Sequence, residues 1–76
     1  MRAIDFPAGK KAPGEGRNGY YDAVGIGVLQ VGDNVRIENL HSRGYARGFV
    51  GLPYDSDVLR ALARELNAMA ERRETE

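Results

Sequence analysis

The sequence lacks cysteine and tryptophan, and its single histidine is His41. Without cysteine, the chain has no disulfide framework, no thiolate nucleophile and no cysteine-based metal site. One histidine is too few for a multi-histidine zinc site. Basic and acidic residues balance at 11 each, which argues against a polybasic nucleic-acid binder or an acidic tail. We therefore expect no metal, no cofactor and no general nucleic-acid binding.

Long apolar stretches are also lacking. The longest one, residues 23–29, is too short to cross a bilayer and contains two glycines. The N-terminus does not continue into the apolar stretch of a signal peptide. These features predict a small soluble protein of the cytoplasm with no membrane contact. A chain of 76 residues that has neither disulfides nor metals tends to depend on very regular packing or on a partner subunit.

Glycine and proline divide the chain near residue 22. Residues 1–22 hold two of the three prolines and four of the ten glycines, a composition typical of a partly flexible loop. Within this segment, Ile4 and Phe6 alternate with a polar residue, which allows a very short edge strand that Pro7 would end. Residues 23–76 are expected to form a single β-β-β-α domain.

Alternating apolar residues and two turn signals predict three strands, at residues 23–31, 34–41 and 45–52. Gly32 followed by Asp33 suits a type II′ hairpin turn. Arg43 followed by Gly44 puts a glycine in the second turn, where a positive φ is expected.

The two turns together set the register of an antiparallel meander. In this register Val28 faces Ile37, Ile37 faces Val50, and His41 faces Ala46. Because side chains alternate between the two faces of a strand, one face collects most of the apolar residues. We call it the valine face; its residues are Ile26, Val28, Val35, Ile37, Val50 and Leu52.

Residues 55–73 have the pattern of an amphipathic helix. Asp55 or Ser56 suits the N-cap position, and Arg72 and Arg73 lie at the end that favours cations. Apolar residues recur three and four positions apart and define what we call the helical stripe: Val58, Leu59, Leu62, Leu66 and Met69. The predicted fold is α+β: a three-stranded antiparallel β-meander packed, through its valine face, against one C-terminal amphipathic helix.

Catalytic motifs are not evident. Residues 14–19 match G-x-G-x-x-G, but a dinucleotide site needs this motif to open a helix, and here it leads into a strand. His41 and Ser42 are neighbours on a strand and therefore point to opposite faces, which does not suit a catalytic pair. Asp55 and Asp57 stand where helix capping requires them. We therefore expect a protein that is not an enzyme.

The second face of the sheet mixes aromatic, aliphatic and charged residues, although a solvated face should be mostly polar. Tyrosine, phenylalanine and arginine are enriched at interface hot spots. We therefore predict a partner-binding surface made of Arg36, Glu38, Leu40, Arg43, Tyr45, Arg47 and Phe49. In the predicted register Leu40 lies beside Arg47, and Glu38 lies beside Phe49.

Three interpretations of this second face remain open: the N-terminal segment covers it, a second copy of the chain binds it, or a different macromolecule does. Gly25 and Gly27 fall on the same face and leave a shallow trough that another chain or the N-terminal segment could enter. Five basic residues are candidate phosphate contacts for a nucleotide ligand: Arg43, Arg47, Lys10, Lys11 and Arg17.

A resemblance appears in the C-terminal third of the chain. The Gly-Leu-Pro of residues 51–53, the Asn-Ala-Met of 67–69 and the Glu-Arg-Arg-Glu of 71–74 resemble the end of a small phage-encoded type I-F anti-CRISPR protein. Such a protein has an antiparallel sheet with helices and blocks the Cascade surveillance complex by covering its CRISPR RNA backbone. The resemblance implies a phage or mobile-element inhibitor that acts by binding, and it assigns no functional residues.

The expected function is therefore stoichiometric binding to a host protein or ribonucleoprotein complex, in the cytoplasm of an infected bacterium. A sponge that sequesters a nucleotide signal and a structural phage component are the alternatives. We also expect a homodimer. Residues 1–54 carry seven basic and five acidic groups, whereas residues 55–76 carry four and six, and this opposite imbalance suits subunit pairing or a locally basic face.

Overall fold

The computed structural model describes the backbone of residues 2–16, 19–41 and 46–76, and the side chains of these residues except 14–16, 19–21 and 47. The described residues form β1 (Arg2–Asp5), β2 (Ala12–Gly16), β3 (Gly19–Val31), β4 (Asn34–His41), β5 (Ala46–Pro53) and α1 (Ser56–Thr75). All strand pairs are antiparallel, which confirms the α+β class. The sheet has two more strands than the predicted three-stranded meander.

Both additional strands come from the N-terminal segment and pair with β3. The hydrogen-bonded order is β1-β3-β4-β5, and β2 pairs with the first part of β3, from Ala12 opposite Ala23 to Gly16 opposite Gly19. The short edge strand predicted around Ile4 is present as β1. Strand β2 replaces a predicted loop. Its Pro13 is tolerated because β2 is an edge strand, in which a missing N–H need not break the ladder.

Gly25 explains how close β1 lies to β3. Asp5 is the partner of Gly25 in the β1–β3 ladder, and a Cβ atom built on Gly25 would stand 2.7 Å from the backbone oxygen of Ile4. Any side chain there would push the strands apart. The trough predicted at this glycine is therefore occupied by the chain's own N-terminal strand.

The β3–β4 hairpin has the predicted register. Val28 lies opposite Ile37, and Gly32 has the positive φ of 58° that its tight turn needs. The same register continues into β5, where Ile37 lies opposite Val50. Residues 25–31 and 34–40 therefore form the hairpin that their alternation and turn signal indicate. A register shift between Ala23 and Gly25 puts Ala23 opposite His41.

A β-bulge at Gly48 changes the far end of the β4–β5 ladder. Glu38 lies opposite Phe49 as predicted, but Leu40 lies opposite Ala46. The predicted pairs of Leu40 with Arg47 and of His41 with Ala46 are therefore wrong. Gly48 has a φ of 73°, a conformation that lets glycine absorb one extra residue in β5.

Helix α1 begins and ends close to its predicted limits. The Asp55 side chain accepts a 3.0 Å hydrogen bond from the backbone N–H of Val58, which confirms Asp55 as the N-cap. At the other end, Arg73 lies in the last turn and donates a 2.9 Å hydrogen bond to Glu76. The backbone N–H of Tyr54 donates to the oxygen of Asp33, so the chain is held to the β3–β4 turn just before the helix begins.

The predicted packing of α1 on the sheet is not formed. No residue of α1 is buried, and Leu66 of the helical stripe is 55% exposed. On the valine face, Val50 is 65% exposed. Among the described residues the buried hydrophobic side chains are Ala23 and Val35, at 1% and 7% exposed. The prediction failed because periodicity shows which face of a helix is apolar, not which surface covers it.

The dimensions of the chain agree with this open arrangement. The radius of gyration is 13.6 Å, whereas a compact domain of this length has about 11 Å. The helical stripe is exposed at Val58, Leu66 and Met69, and the valine face is exposed at Val50. Val35 is buried, and the other members of the two surfaces are half-buried.

Candidate partner-binding surface

Arg36, Glu38 and Phe49 lie together on the face of the sheet opposite the valine face. Glu38 is the ladder partner of Phe49, and Arg36 is two residues before Glu38 on the same strand, so alternation puts all three side chains on one side. The guanidinium carbon of Arg36 lies 3.7 Å from the centre of the Phe49 ring. The structure thus brings together three of the seven residues predicted for this surface.

Gly51 leaves the space in which this stacking occurs. It is the ladder partner of Arg36, and the Phe49 ring lies 3.9 Å from the place where a Cβ of Gly51 would stand. A methyl group would fit at this position, but a larger side chain would compete with Arg36 for the Phe49 ring. A cation–π contact of this exposed kind is worth about 0.5 to 1 kcal/mol, so it orients Arg36 more than it stabilises the fold.

The Arg36 guanidinium keeps an unused donor. Its Nε atom is buried and has no hydrogen-bond partner among the described residues. The nearest acidic oxygen, Oε1 of Glu38, is 3.9 Å from Nε, which is close enough for attraction between charges but too far for a hydrogen bond. A buried donor without an acceptor costs free energy, and the negative charge of Glu38 beside it offsets part of that cost.

Phe49 supplies the apolar part of the surface. Its side chain is 57% exposed, although one side of the ring is covered by Arg36. Leu40 is half-buried nearby in β4, opposite Ala46. An exposed aromatic ring with an arginine and a carboxylate beside it combines contact area with directional polar groups.

The structure does not describe the side chains of the other three predicted partner-binding residues. Arg43 and Tyr45 lie outside the described residues. Arg47 lies in β5 next to the Gly48 bulge, and its side chain is outside the described part of the structure.

Lys10 and Lys11 are the predicted phosphate contacts whose side chains the structure describes. Lys10 and Lys11 are exposed in the segment between β1 and β2, and the Lys11 ammonium lies 3.6 Å from a carboxylate oxygen of Asp22. This exposed ion pair reduces the positive charge offered to an anion. Arg17, like Arg43, lies outside the described residues.

Residues 2–16, 19–41 and 46–76 were compared with the requirements of a metal site, a ligand pocket and a membrane-spanning helix. Within these ranges no group of three or more His, Asp or Glu side chains could hold a metal ion, and no pocket is present. No helix in the described part of the chain is long and apolar enough to cross a membrane.

Sequence reasoning missed the exposure of Val50 and of much of the helical stripe, because it assigned the valine face and the helical stripe to cover each other within one chain. The signal that could have indicated this is the low number of large apolar residues that a 76-residue chain can enclose. No protein family, curated protein or solved structure matches the chain.

Proposed function

We propose that this protein is a small non-enzymatic inhibitor that binds stoichiometrically to a host complex of an anti-phage defence system, in the manner of an anti-CRISPR protein. The observation that carries the proposal is the exposed Phe49 ring with Arg36 stacked on it and Glu38 beside it. The type of target rests on the resemblance of residues 51–53, 67–69 and 71–74 to a type I-F anti-CRISPR protein.

The chemistry of this surface suits binding to a protein or ribonucleoprotein rather than to a small molecule. Phe49 offers an exposed apolar contact, and Arg36, whose side chain is 35% exposed, offers a positive charge beside it. A backbone carbonyl, a carboxylate or a phosphate oxygen on the partner would accept a hydrogen bond from the exposed part of this guanidinium. Occlusion of a functional surface needs no chemical step, so one bound inhibitor per site is sufficient.

A plating assay tests the function in cells. In a bacterium whose type I-F system targets a phage, expression of the protein should restore plating of that phage. Phe49→Ala should abolish this effect because it removes the exposed ring and the platform on which Arg36 stacks. Tyr54→Ala is the matched control, since Tyr54 is an aromatic residue that is also 57% exposed but lies after β5.

A titration separates binding from catalysis. Purified type I-F surveillance complex is mixed with increasing protein, and the remaining binding of target DNA is measured. The proposal predicts a linear loss of binding that ends at a fixed molar ratio. Slow loss that goes to completion at a small fraction of that ratio, or full activity of the Phe49→Ala variant, would contradict the proposal.

A further inference from the structure

The valine face and the helical stripe are two apolar surfaces of the same chain, and each is covered only in part. Val50 and Leu66 are their most exposed described members, and Val58 and Met69 are exposed as well. Single exposed apolar residues are normal on a soluble protein, but two extended apolar surfaces require a cover.

The chain exposes more surface than a compact monomer of its mass is expected to expose. The chain has a solvent-accessible surface of 6097 Å². A folded monomer of 8.4 kDa is expected to expose about 4,600 Å². The excess is therefore about 1,500 Å² per chain, which falls within the range that one subunit buries in an obligate homodimer.

The two surfaces match each other in size. The helical stripe runs from Val58 to Met69, which corresponds to about 16 Å at 1.5 Å per residue. The valine face crosses β3, β4 and β5, and three strands spaced about 4.8 Å apart offer a surface about 10 Å wide, the diameter of a helix.

The charges of the two regions are complementary. Residues 1–54, which contain the sheet, carry a net charge of +2, and residues 55–76, which contain α1, carry −2. Two sheets facing each other, or two helices, would bring like charges together. A helix facing a sheet brings opposite charges together.

The free edge of β5 is a poor alternative route to association. Strand β5 ends the hydrogen-bonded order, but Gly48 forms a bulge in it and Pro53 removes a donor at its end. Bulges and prolines are devices that prevent pairing between edge strands.

We propose that two copies of the chain form a dimer in which the helical stripe of each copy packs on the valine face of the other. The two contacts are equivalent, so the assembly closes with two-fold symmetry. Each sheet then has the apolar cover that its own helix does not supply. This inference does not depend on the proposed function, because the surface around Phe49 lies on the opposite face of the sheet.

An exchange experiment with two variants tests the reciprocal contact. Val50→Lys places a charge on the valine face, and Leu66→Asp places one on the helical stripe; neither side chain is buried within its own chain. Each variant alone should raise the dimer dissociation constant by at least about 30-fold, the loss that a hot-spot residue carries. The matched controls are Asn67→Asp and Asn34→Lys, which introduce the same charges at exposed residues off the two surfaces.

Mixing the two variants distinguishes reciprocal docking from other arrangements. A mixed dimer contains one unaltered helix-on-sheet contact and one in which the introduced carboxylate and the introduced ammonium face each other. An equimolar mixture should therefore recover a mass of twice 8.4 kDa by light scattering. If a variant alone is unfolded, the mixture should also regain the circular dichroism spectrum of the wild type. A monomeric wild-type chain, a dimeric Leu66→Asp or Val50→Lys variant, or a mixture that recovers neither mass nor spectrum would overturn the proposal.

Discussion

The β3–β4 hairpin and helix α1 are both regular elements, but they differ in how far one chain completes them. The hairpin includes Ala23 and Val35, the hydrophobic side chains that are buried within the described residues. Helix α1 has a well-formed cap and no buried residue. The comparison shows that a sequence can specify a helix locally while leaving its apolar side to be covered by another molecule.

The largest expected effect is a loss of stability in the β3–β4 hairpin, the element whose side chains are buried within one chain. Val35→Ala should lower the free energy of unfolding by about 2 to 3 kcal/mol, because it removes buried methyl groups and leaves a cavity. Val31→Ala, at an exposed position of the neighbouring strand, should change it by less than about 0.5 kcal/mol. Urea denaturation at a fixed protein concentration measures both. Equal effects at the two positions would show that Val35 is not a core residue.

Truncation of an apolar side chain in the helical stripe should lower the free energy of unfolding as truncation of a buried side chain does. Leu66→Ala is expected to cost about 2 kcal/mol when unfolding is measured from the assembled protein, because the leucine is buried against the second copy. Asn67→Ala, one residue away and off the helical stripe, should be close to neutral. A Leu66→Ala variant as stable as the wild type would mean that the helical stripe stays in water.

The contact between β1 and β3 can be broken with one methyl group. Gly25→Ala should cost about 1 to 2 kcal/mol, because its Cβ would meet the backbone oxygen of Ile4 and displace β1. Gly51→Ala makes the same chemical change where the nearest atom is 3.9 Å away, so it should be neutral or slightly stabilising. Thermal unfolding of the two variants compares them directly. If Gly25→Ala and Gly51→Ala unfold at the same temperature, that result would contradict the close approach of β1 and β3.

The smallest effect concerns the start of the helix. Asp55→Ala should cost about 1 kcal/mol, because the N–H of Val58 loses its acceptor. Asp55→Asn keeps an acceptor oxygen at the same position and should retain most of that stability. The difference in urea midpoint between the two variants measures the cap, and an absence of any difference would show that another group caps the helix.

The parts of the fold that depend on local signals were predictable. The Gly32-Asp33 turn set the register of the hairpin, and Asp55 marked the start of the helix. Strand β2 could not be predicted from the sequence, because Pro13 and its neighbouring glycines favour a loop. These residues form a strand through their pairing with β3.

Non-local effects account for the remaining differences. The bulge at Gly48 could not be predicted because a glycine in a strand indicates either a bulge or a close approach without distinguishing them. The register correctly put Arg36, Glu38 and Phe49 on one face. It did not predict the stacking of Arg36 on Phe49, which depends on how the two side chains pack across β4 and β5.

Sedimentation equilibrium of the wild-type chain, from low to high micromolar concentration, tests the central claim that a second copy covers the helical stripe and the valine face. The account predicts a mass of twice 8.4 kDa, and a thermal midpoint that rises with concentration because folding and association are linked. A folded protein that keeps a mass of 8.4 kDa at the highest concentration, with a midpoint independent of concentration, would contradict it.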